Sequence, residues 1–133
     1  MKTEARSTKH EIRNKHEARN QKRFDLEDRT KKFAKDVRLF VGALPKNAGN
    51  REDGKQLVRS SGSVGANYLE ANQSLSKKDF IMRVKIAKKE ARETIYWLEL
   101  ITANELNRKE QSRLQKEATE LMNILGAIVR NSS

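Results

Sequence analysis

Cysteine is absent from this chain of 133 residues. Disulfide bonds, thiolate metal sites and thiol catalysis are therefore excluded, and a reducing compartment is the simplest setting. No apolar run approaches the roughly 20 residues that a membrane-spanning helix needs, and the first residues lack the apolar segment of a secretory signal. We expect a cytoplasmic protein without a membrane partner.

Proline and glycine are also scarce. The chain has one proline and six glycines, which is too few for a β fold with many turns. Ala, Leu, Glu, Lys and Arg, which favour helices, are abundant. The length suits one domain. The composition therefore predicts an all-α fold.

Positive charge is present in excess, with a formal net charge of +11. Residues 1–23 contain eight Lys or Arg against three Glu, and the rest of the chain is also basic. Beyond Met1, the first 22 residues offer only Ile12 as a larger aliphatic side chain, too little apolar surface to offset the entropy of ordering. We predict a tail over 1–23, disordered or a marginal solvated helix, before a bundle domain over 24–133.

Four positions have the pattern of a helix start, in which a capping oxygen precedes an acidic residue by three positions. The pairs are Asp25 with Asp28, Asn50 with Asp53, Ser76 with Asp79, and Asn107 with Glu110. Leu44-Pro45 indicates the end of the first helix, because a residue before proline avoids helical angles. The sequence predicts helices near 26–43, 51–74, 77–104 and 108–130.

Each predicted helix has an apolar stripe at helical spacing, and the connections are short. Four such faces can share one core, and short loops make neighbouring helices antiparallel. We predict an up-down-up-down four-helix bundle. The stripes are Thr30, Phe33, Val37, Phe40 and Leu44; Leu57, Ser61, Val64, Tyr68, Ala71 and Leu75; Phe80, Val84, Ala87, Ala91, Ile95, Leu98 and Ile101; and Leu114, Ala118, Leu121, Leu125 and Ile128.

Two glycines, Gly62 and Gly65, fall within the broad apolar face of the second helix. Each costs about 1 kcal/mol of helix propensity relative to alanine, which closer approach of another helix can offset. A phosphate-binding loop is the alternative. It is weaker, because no GxGxxG or GxxxxGK[ST] pattern is present and no strand precedes the stretch. We favour a close-packing face.

Several sequence blocks in order resemble a known bacterial family. The blocks are "FDLEDRTKKFAKDV", "LPKN", "QLVRSSGSVGANYLEAN", "SKKDFIMRVKIAKKEARETIYWL" and "EATELMNILGAIV". They resemble the four-helix-bundle proteins named after the intervening sequence of 23S ribosomal RNA, over about residues 24–128. A related bundle is the accessory subunit of the reverse transcriptase of diversity-generating retroelements.

The resemblance implies a protomer that assembles as a homopentameric ring, has no catalytic residue, and binds nucleic acid or a nucleoprotein. It also implies interhelix or intersubunit contacts for a set of polar positions. These are Arg59, Ser63, Asn67, Glu70, Glu90 and Glu93.

Basic residues in the tail and the third helix are the candidates for binding RNA or DNA, because lysine and arginine replace counterions along a phosphate backbone. Most aromatic residues, including Phe33, Phe80 and Trp97, lie on predicted apolar faces, so no stacking platform is evident and binding should be largely independent of sequence. The candidates are Lys2, Arg6, Lys9, Arg13, Lys15, Arg19, Lys22, Arg23, Lys77, Lys78, Lys85, Lys88, Lys89 and Arg92.

Two other interpretations of this charge stay open. The third-helix cations can form a solvated face paired with acids, for example Lys89 or Arg92 with Glu93. The protein can also be a scaffold that binds only other proteins. A membrane-surface role is weaker, because the tail has almost none of the apolar side chains that enter headgroups.

Catalytic and metal sites find little support. The only histidines, His10 and His16, lie in the tail, so the bundle lacks the Glu-x-x-His pairs of di-iron proteins and a histidine for acid–base or nucleophilic catalysis. We expect no enzyme activity, no cofactor and no metal.

Overall fold

The computed structural model describes the backbone of residues 2–132 and the side chains of residues 9–132. Four α-helices occupy this part of the chain: α1 (Lys2–Gly42), α2 (Ala48–Asn72), α3 (Lys77–Leu100) and α4 (Glu105–Ser132). It contains no strand. The prediction of an all-α fold with four helices is confirmed.

Each helix packs against the next one along the chain, and α4 also packs against α1. The connecting loops, 43–47, 73–76 and 101–104, are short, so contacting neighbours reverse direction. Over the described residues, no close approach occurs between α1 and α3 or between α2 and α4. These contacts are those of an up-down-up-down arrangement around one shared core.

The core is built from the predicted stripes, with a few exceptions at the ends. Phe80, Ile95 and Ile128 are only half-buried, and Thr94 is buried in α3 instead. Leu75 was predicted to be buried and is fully exposed, because α2 ends at Asn72 and places Leu75 in the loop. The largest fully buried apolar side chains are Leu57, Leu98, Leu114, Leu121, Leu125, Val37, Val64 and Val84.

The predicted helix starts are correct in one case, where Ser76 caps α3 by accepting a hydrogen bond from the Asp79 amide. Two others are wrong by three residues. Asn47 accepts from the backbone amide of Asn50 at 2.8 Å, and Asn104 accepts from that of Asn107 at 3.1 Å. In both places asparagine recurs after three residues, and it is the first asparagine that caps the helix.

The second asparagine of each pair is buried and joins two loops. The Asn50 amide nitrogen donates to the carbonyls of Pro45 and Thr102, both at 2.9 Å, and its oxygen accepts from the Thr102 amide at 2.9 Å. Asn107 donates to the Ala43 carbonyl at 3.3 Å. Loops 43–47 and 101–104 are therefore tied together by side-chain amides, and we call this the closed end of the bundle.

The first helix begins far earlier than predicted. Asp25 does not cap it, because α1 runs without interruption from Lys2. Residues 9–23 are helical, and all their side chains are exposed except that of Asn20, which is half-buried. In this structure the segment is a solvated helix, which is one of the two predicted alternatives. We call residues 9–23 the overhang.

Helix formation explains the overhang. Residues 2–41 contain no proline or glycine, and adding residues to a helix that is already anchored avoids the unfavourable nucleation step. The buried part of α1, from Leu26 onward, supplies that anchor. The overhang is therefore a continuation of a core helix.

The glycines of α2 confirm a close-packing face toward α1. A Cβ at Gly65 would lie 2.9 Å from Oγ1 and 3.2 Å from Cβ of Thr30, and one at Gly54 would lie 3.0 Å from Cγ1 of Val41. At Gly62 the nearest atom would be the flexible end of Arg38, at 3.4 Å. The close approach therefore requires Gly65 and does not require Gly62.

Candidate nucleic-acid interface

The end of the bundle opposite the closed end carries a cavity of about 650 Å³. All four helices contribute to it, because the overhang of α1 passes over the last turns of α2 and α4 and the first turn of α3. Its apolar wall consists of Leu26, Tyr68, Phe80, Ile124 and Ile128, and its polar lining of Arg19, Lys22, Arg23, Asp25, Arg29, Asn72, Asn131 and Ser132. We call this the end cavity, and this end of the bundle the open end.

Cations dominate the rim of the end cavity. Arg19, Lys22 and Arg23 are exposed, and no described carboxylate forms an ion pair with them. Asp25 is the one exposed acid among the lining residues, and its carboxylate accepts a hydrogen bond from Gln21 at 3.0 Å. The rim therefore has a net positive charge.

A second depression, of about 460 Å³, joins the two groups of candidate cations. It is lined by Arg23 of the overhang and Lys77 of α3, with Phe80 and Ser132, which also line the end cavity. The tail and third-helix clusters, which are 54 positions apart at these residues, thus meet at the open end. Phe80 lies between them, half-buried.

The third-helix candidates cover the outer face of α3. All six are exposed, and none forms an ion pair with a described acid. The alternative pairing of Lys89 or Arg92 with Glu93 is not formed, since Glu93 binds Arg59 instead. These residues are Lys77, Lys78, Lys85, Lys88, Lys89 and Arg92.

Apolar side chains accompany these lysines, of which Met82 is exposed and Ile81 half-buried. Ile81 and Met82 share a shallow depression with Lys77, Lys78 and Lys85. Further along the outer face, Tyr96 is 55% exposed, and its ring centroid lies 5.0 Å from that of Trp97 in an edge-on arrangement. Tyr96 is therefore an exposed ring on this face, whereas Phe80 is half-buried and packs against the core.

The remaining candidates lie along the overhang. Lys9, Arg13 and Lys15 are exposed on the solvated helix, whereas the side chains of Lys2 and Arg6 lie outside the described residues. No group of histidine, cysteine, aspartate or glutamate side chains over 9–132 is arranged to hold a metal ion.

Comparison with known proteins places this bundle. The family model of the 23S rRNA-intervening sequence protein matches residues 22–127. This chain belongs to that family. A crystal structure from Bacteroides thetaiotaomicron, described as a protein of unknown function from the S23 ribosomal protein family, is 34% identical with a TM-score of 0.66. The match covers 82% of this chain and 98% of the other. No curated protein matches the chain.

The match to the 23S rRNA-intervening sequence protein family begins at residue 22 and leaves the segment before it unmatched. That segment comprises most of the overhang, including Arg19, which lines the end cavity. Lys22 and Arg23 lie at the first positions of the match. The end cavity is therefore built partly from residues outside the family match and partly from the bundle itself.

The polar positions of the family signature divide into two groups. Arg59 of α2 contacts Glu90 and Glu93 of α3, with nitrogen–oxygen distances of 3.3 and 3.1 Å. These are contacts within one protomer.

Among the described residues, the other three signature positions make no such contact between helices. Ser63 and Asn67 bond to carbonyls of their own helix, those of Arg59 and Ser63, while Glu70 is exposed. Beside the Arg59 cluster, the Thr94 and Ser60 hydroxyl oxygens lie 2.9 Å apart in the buried α2–α3 contact. No role was predicted for Thr94 from the sequence, because the predicted stripe of the third helix passes through Ile95 and not through Thr94.

Ion pairs join α4 to the part of α1 that follows the overhang. Arg29 donates to both carboxylate oxygens of Glu117, at 2.8 and 2.7 Å, and also contacts Glu120. This hydrogen bonding lowers the pKa of Glu117 below its usual value. Arg113 bridges Asp36 and Glu110. Hydrogen bonds from Lys32 and Arg113 lower the pKa of Asp36, and one from Arg113 lowers that of Glu110.

Burial in the cavity wall raises the pKa of the Tyr68 hydroxyl above its usual value. In the part of the chain that the structure describes, no helix is long and apolar enough to cross a membrane.

The groups available at the open end are cations around an apolar wall.

Proposed function

We propose that this protein is a non-catalytic, cytoplasmic bundle protein that binds RNA or DNA, or a nucleoprotein partner, through its overhang and α3. Support comes from one observation above the others. Arg23 and Lys77 line the same depression, so the two sets of cations form a continuous basic surface without described acid partners. A phosphate backbone laid across this surface would release counterions from both sets.

Sequence-independent binding follows from the nature of this surface. Lysine and arginine side chains on an exposed helix face contact phosphates and carry no direct information about base sequence. We expect affinity to fall steeply as salt increases, since each neutralised phosphate adds to the salt dependence.

A deletion with a matched control tests the proposal. Removing residues 1–22 takes away seven Lys or Arg and three Glu. The control replaces Lys46, Arg51, Arg108 and Lys109 with glutamine; these four exposed cations lie near the closed end, and the net charge lost is the same. Fluorescence anisotropy with a labelled RNA and the same DNA sequence, at about 50 mM and about 200 mM salt, measures affinity.

We expect the deletion to weaken binding and flatten its salt dependence, and the control to do so far less. Equal losses in the two proteins would mean that net charge alone attracts nucleic acid. No binding at low salt would refute the proposal and favour the alternative of a protein scaffold. Nuclease treatment of an extract separates these, because a scaffold keeps its protein partner when co-purifying nucleic acid is lost.

We also propose that protomers assemble as a homopentameric ring, on the basis of the family resemblance. Large apolar side chains that stay exposed on the protomer would supply contact surface: Phe24, Leu39, Leu69, Met82, Leu100 and Leu106. Native mass spectrometry of the full chain, with and without RNA, tests this. A mass of five protomers is the expected result, and a monomer at micromolar concentration would contradict it.

A further inference from the structure

We infer that the end cavity receives an unpaired base of a single-stranded nucleic acid. This inference rests on the proposed function. It narrows the proposed ligand from nucleic acid in general to single strands, whose unpaired bases can enter a cavity. The cavity volume of about 650 Å³ lies within the range of about 300–1,000 Å³ typical of ligand sites.

The lining matches the chemistry by which proteins hold unpaired bases. Such bases stack on aromatic rings or guanidinium planes, and their edges form hydrogen bonds with polar side chains. Phe80 supplies a half-buried ring, Arg19 and Arg23 supply guanidinium groups without described ion-pair partners, and Asn131 supplies an exposed amide at the mouth. The apolar side chains of Leu26 and Ile128, which line the cavity, would contact the face of the inserted base.

The surrounding charge favours an anion at the mouth. Three rim cations oppose one acid, Asp25, and Lys77 extends the positive surface past Phe80 along the neighbouring depression. A phosphate on each side of the inserted base would meet these cations. An uncharged apolar ligand would leave them without a role.

A duplex fits this site less well than a single strand. A paired base enters a pocket only after it is unstacked and unpaired, which costs free energy that a single strand does not spend. The end cavity should therefore distinguish single strands from duplexes, whereas the outer face of α3 should bind both through phosphates.

Two variants, Phe80→Leu and Tyr96→Leu, test whether the unpaired base binds in the end cavity or on the outer face of α3. The first variant keeps an apolar side chain and loses the ring in the end cavity. The second makes the same kind of change at the exposed ring on the outer face of α3. Anisotropy with a labelled unstructured RNA strand, the same DNA strand and an RNA duplex measures the affinity of each full-length protein, and circular dichroism checks folding.

We expect Phe80→Leu to weaken single-strand binding by about five- to tenfold, a typical effect of losing one base–ring stack, and to leave duplex binding unchanged. Tyr96→Leu should change neither by more than about twofold. If Tyr96→Leu has the larger effect, or Phe80→Leu weakens duplex binding equally, the inference is wrong while the proposed function stands. If the unaltered protein binds no nucleic acid, both fail.

A second pair of variants avoids the core altogether. Asn131→Glu places a carboxylate at the cavity mouth, and Asn123→Glu adds the same charge at another exposed position of α4 that does not line the cavity. We expect the first to lower single-strand affinity at least about fivefold more than the second, given the dependence of binding on phosphate contacts. Equal effects would overturn the assignment of the base to this cavity.

Discussion

The two ends of the bundle differ in the contacts that their polar and charged side chains make. At the closed end, Asn50 and Asn107 are buried and spend their hydrogen bonds on loop backbone. At the open end, apolar residues such as Phe80 and Ile128 stay half-buried, and nearby cations have no described ion-pair partner. The comparison teaches that side-chain amides bonded to loop backbone fix one end of the fold, although the buried Asn107 oxygen has no described partner, while the rim cations at the other end form no ion pair within the described residues.

Replacing Asn50 with alanine should have the largest effect on stability. Three hydrogen bonds from the buried Asn50 side chain are lost, two with Thr102 of loop 101–104 and one with Pro45 of loop 43–47. At about 0.5–1.5 kcal/mol for each hydrogen bond, we expect the free energy of unfolding to fall by about 3 kcal/mol.

Urea denaturation measures this loss, with Asn131→Ala at the open end as the control. Asn131 is exposed, so its replacement should change the free energy of unfolding by less than about 0.5 kcal/mol. Similar losses at the two positions would abolish the contrast between the ends.

Gly65→Ala should have the next largest effect. The new Cβ would lie within 2.9 Å of the Thr30 hydroxyl oxygen, so α1 and α2 must separate, at a cost of about 1–3 kcal/mol for overpacking. Gly62→Ala meets only the movable end of Arg38 and should stabilise the protein by up to about 1 kcal/mol through helix propensity. Thermal denaturation of both variants checks this, and two changes of the same sign would contradict it.

Acid should weaken the attachment of α1 to α4. Folding lowers the pKa of Glu117 through its hydrogen bonds from Arg29, so this contribution is present above the unfolded pKa of about 4.5 and is lost as pH falls through the folded pKa. Glu117→Gln should reduce the free energy of unfolding by about 1 kcal/mol at neutral pH.

At about pH 3 the same substitution should have a much smaller effect, because the carboxyl group is then largely protonated in the unfolded chain and increasingly so in the folded one. Denaturant titrations at the two pH values measure the difference. A cost that does not depend on pH would show that the side chain acts through packing and not through its charge.

Arg59→Ala should have the smallest effect. Its guanidinium is about half exposed, with a side-chain exposure of 49%, and exposed ion pairs contribute about 1 kcal/mol or less. A double-mutant cycle with Glu93→Gln measures the coupling energy between the two residues. A larger coupling, or a change in the number of subunits by native mass spectrometry, would mean that Arg59 acts between protomers.

Periodicity predicted the helices and most of the core, because apolar spacing directly determines which face is buried. Periodicity failed where the choice of helix cap or the burial of a residue depended on tertiary contacts. Both Asn47 and Asn50 can cap a helix, and only the position of the loop around Thr102 decides that Asn50 is buried. The same holds for Leu75, which continues the stripe of α2 after the helix has ended.

The candidate site was predicted as two separate basic clusters, and composition could not show that they meet. Their proximity arises because α1 continues past the bundle as a helix and because α3 begins beside it. Arg23 and Lys77 share a depression only in the folded chain. Likewise, the stripe that includes Phe80 marks it as a core residue, and its half-burial follows from its position in the first turn of α3 at an open end.

Because α1 is unbroken, it determines the direction in which the overhang leaves the bundle as well as the basic surface that it carries. A helix of 41 residues extends about 60 Å at 1.5 Å per residue, and without proline or internal glycine up to residue 41 it has no hinge. In any assembly with closed cyclic symmetry, the overhangs would leave the same side at equal angles. A strand that engages one would meet the next at a high effective concentration, so that modest individual affinities would multiply into avidity.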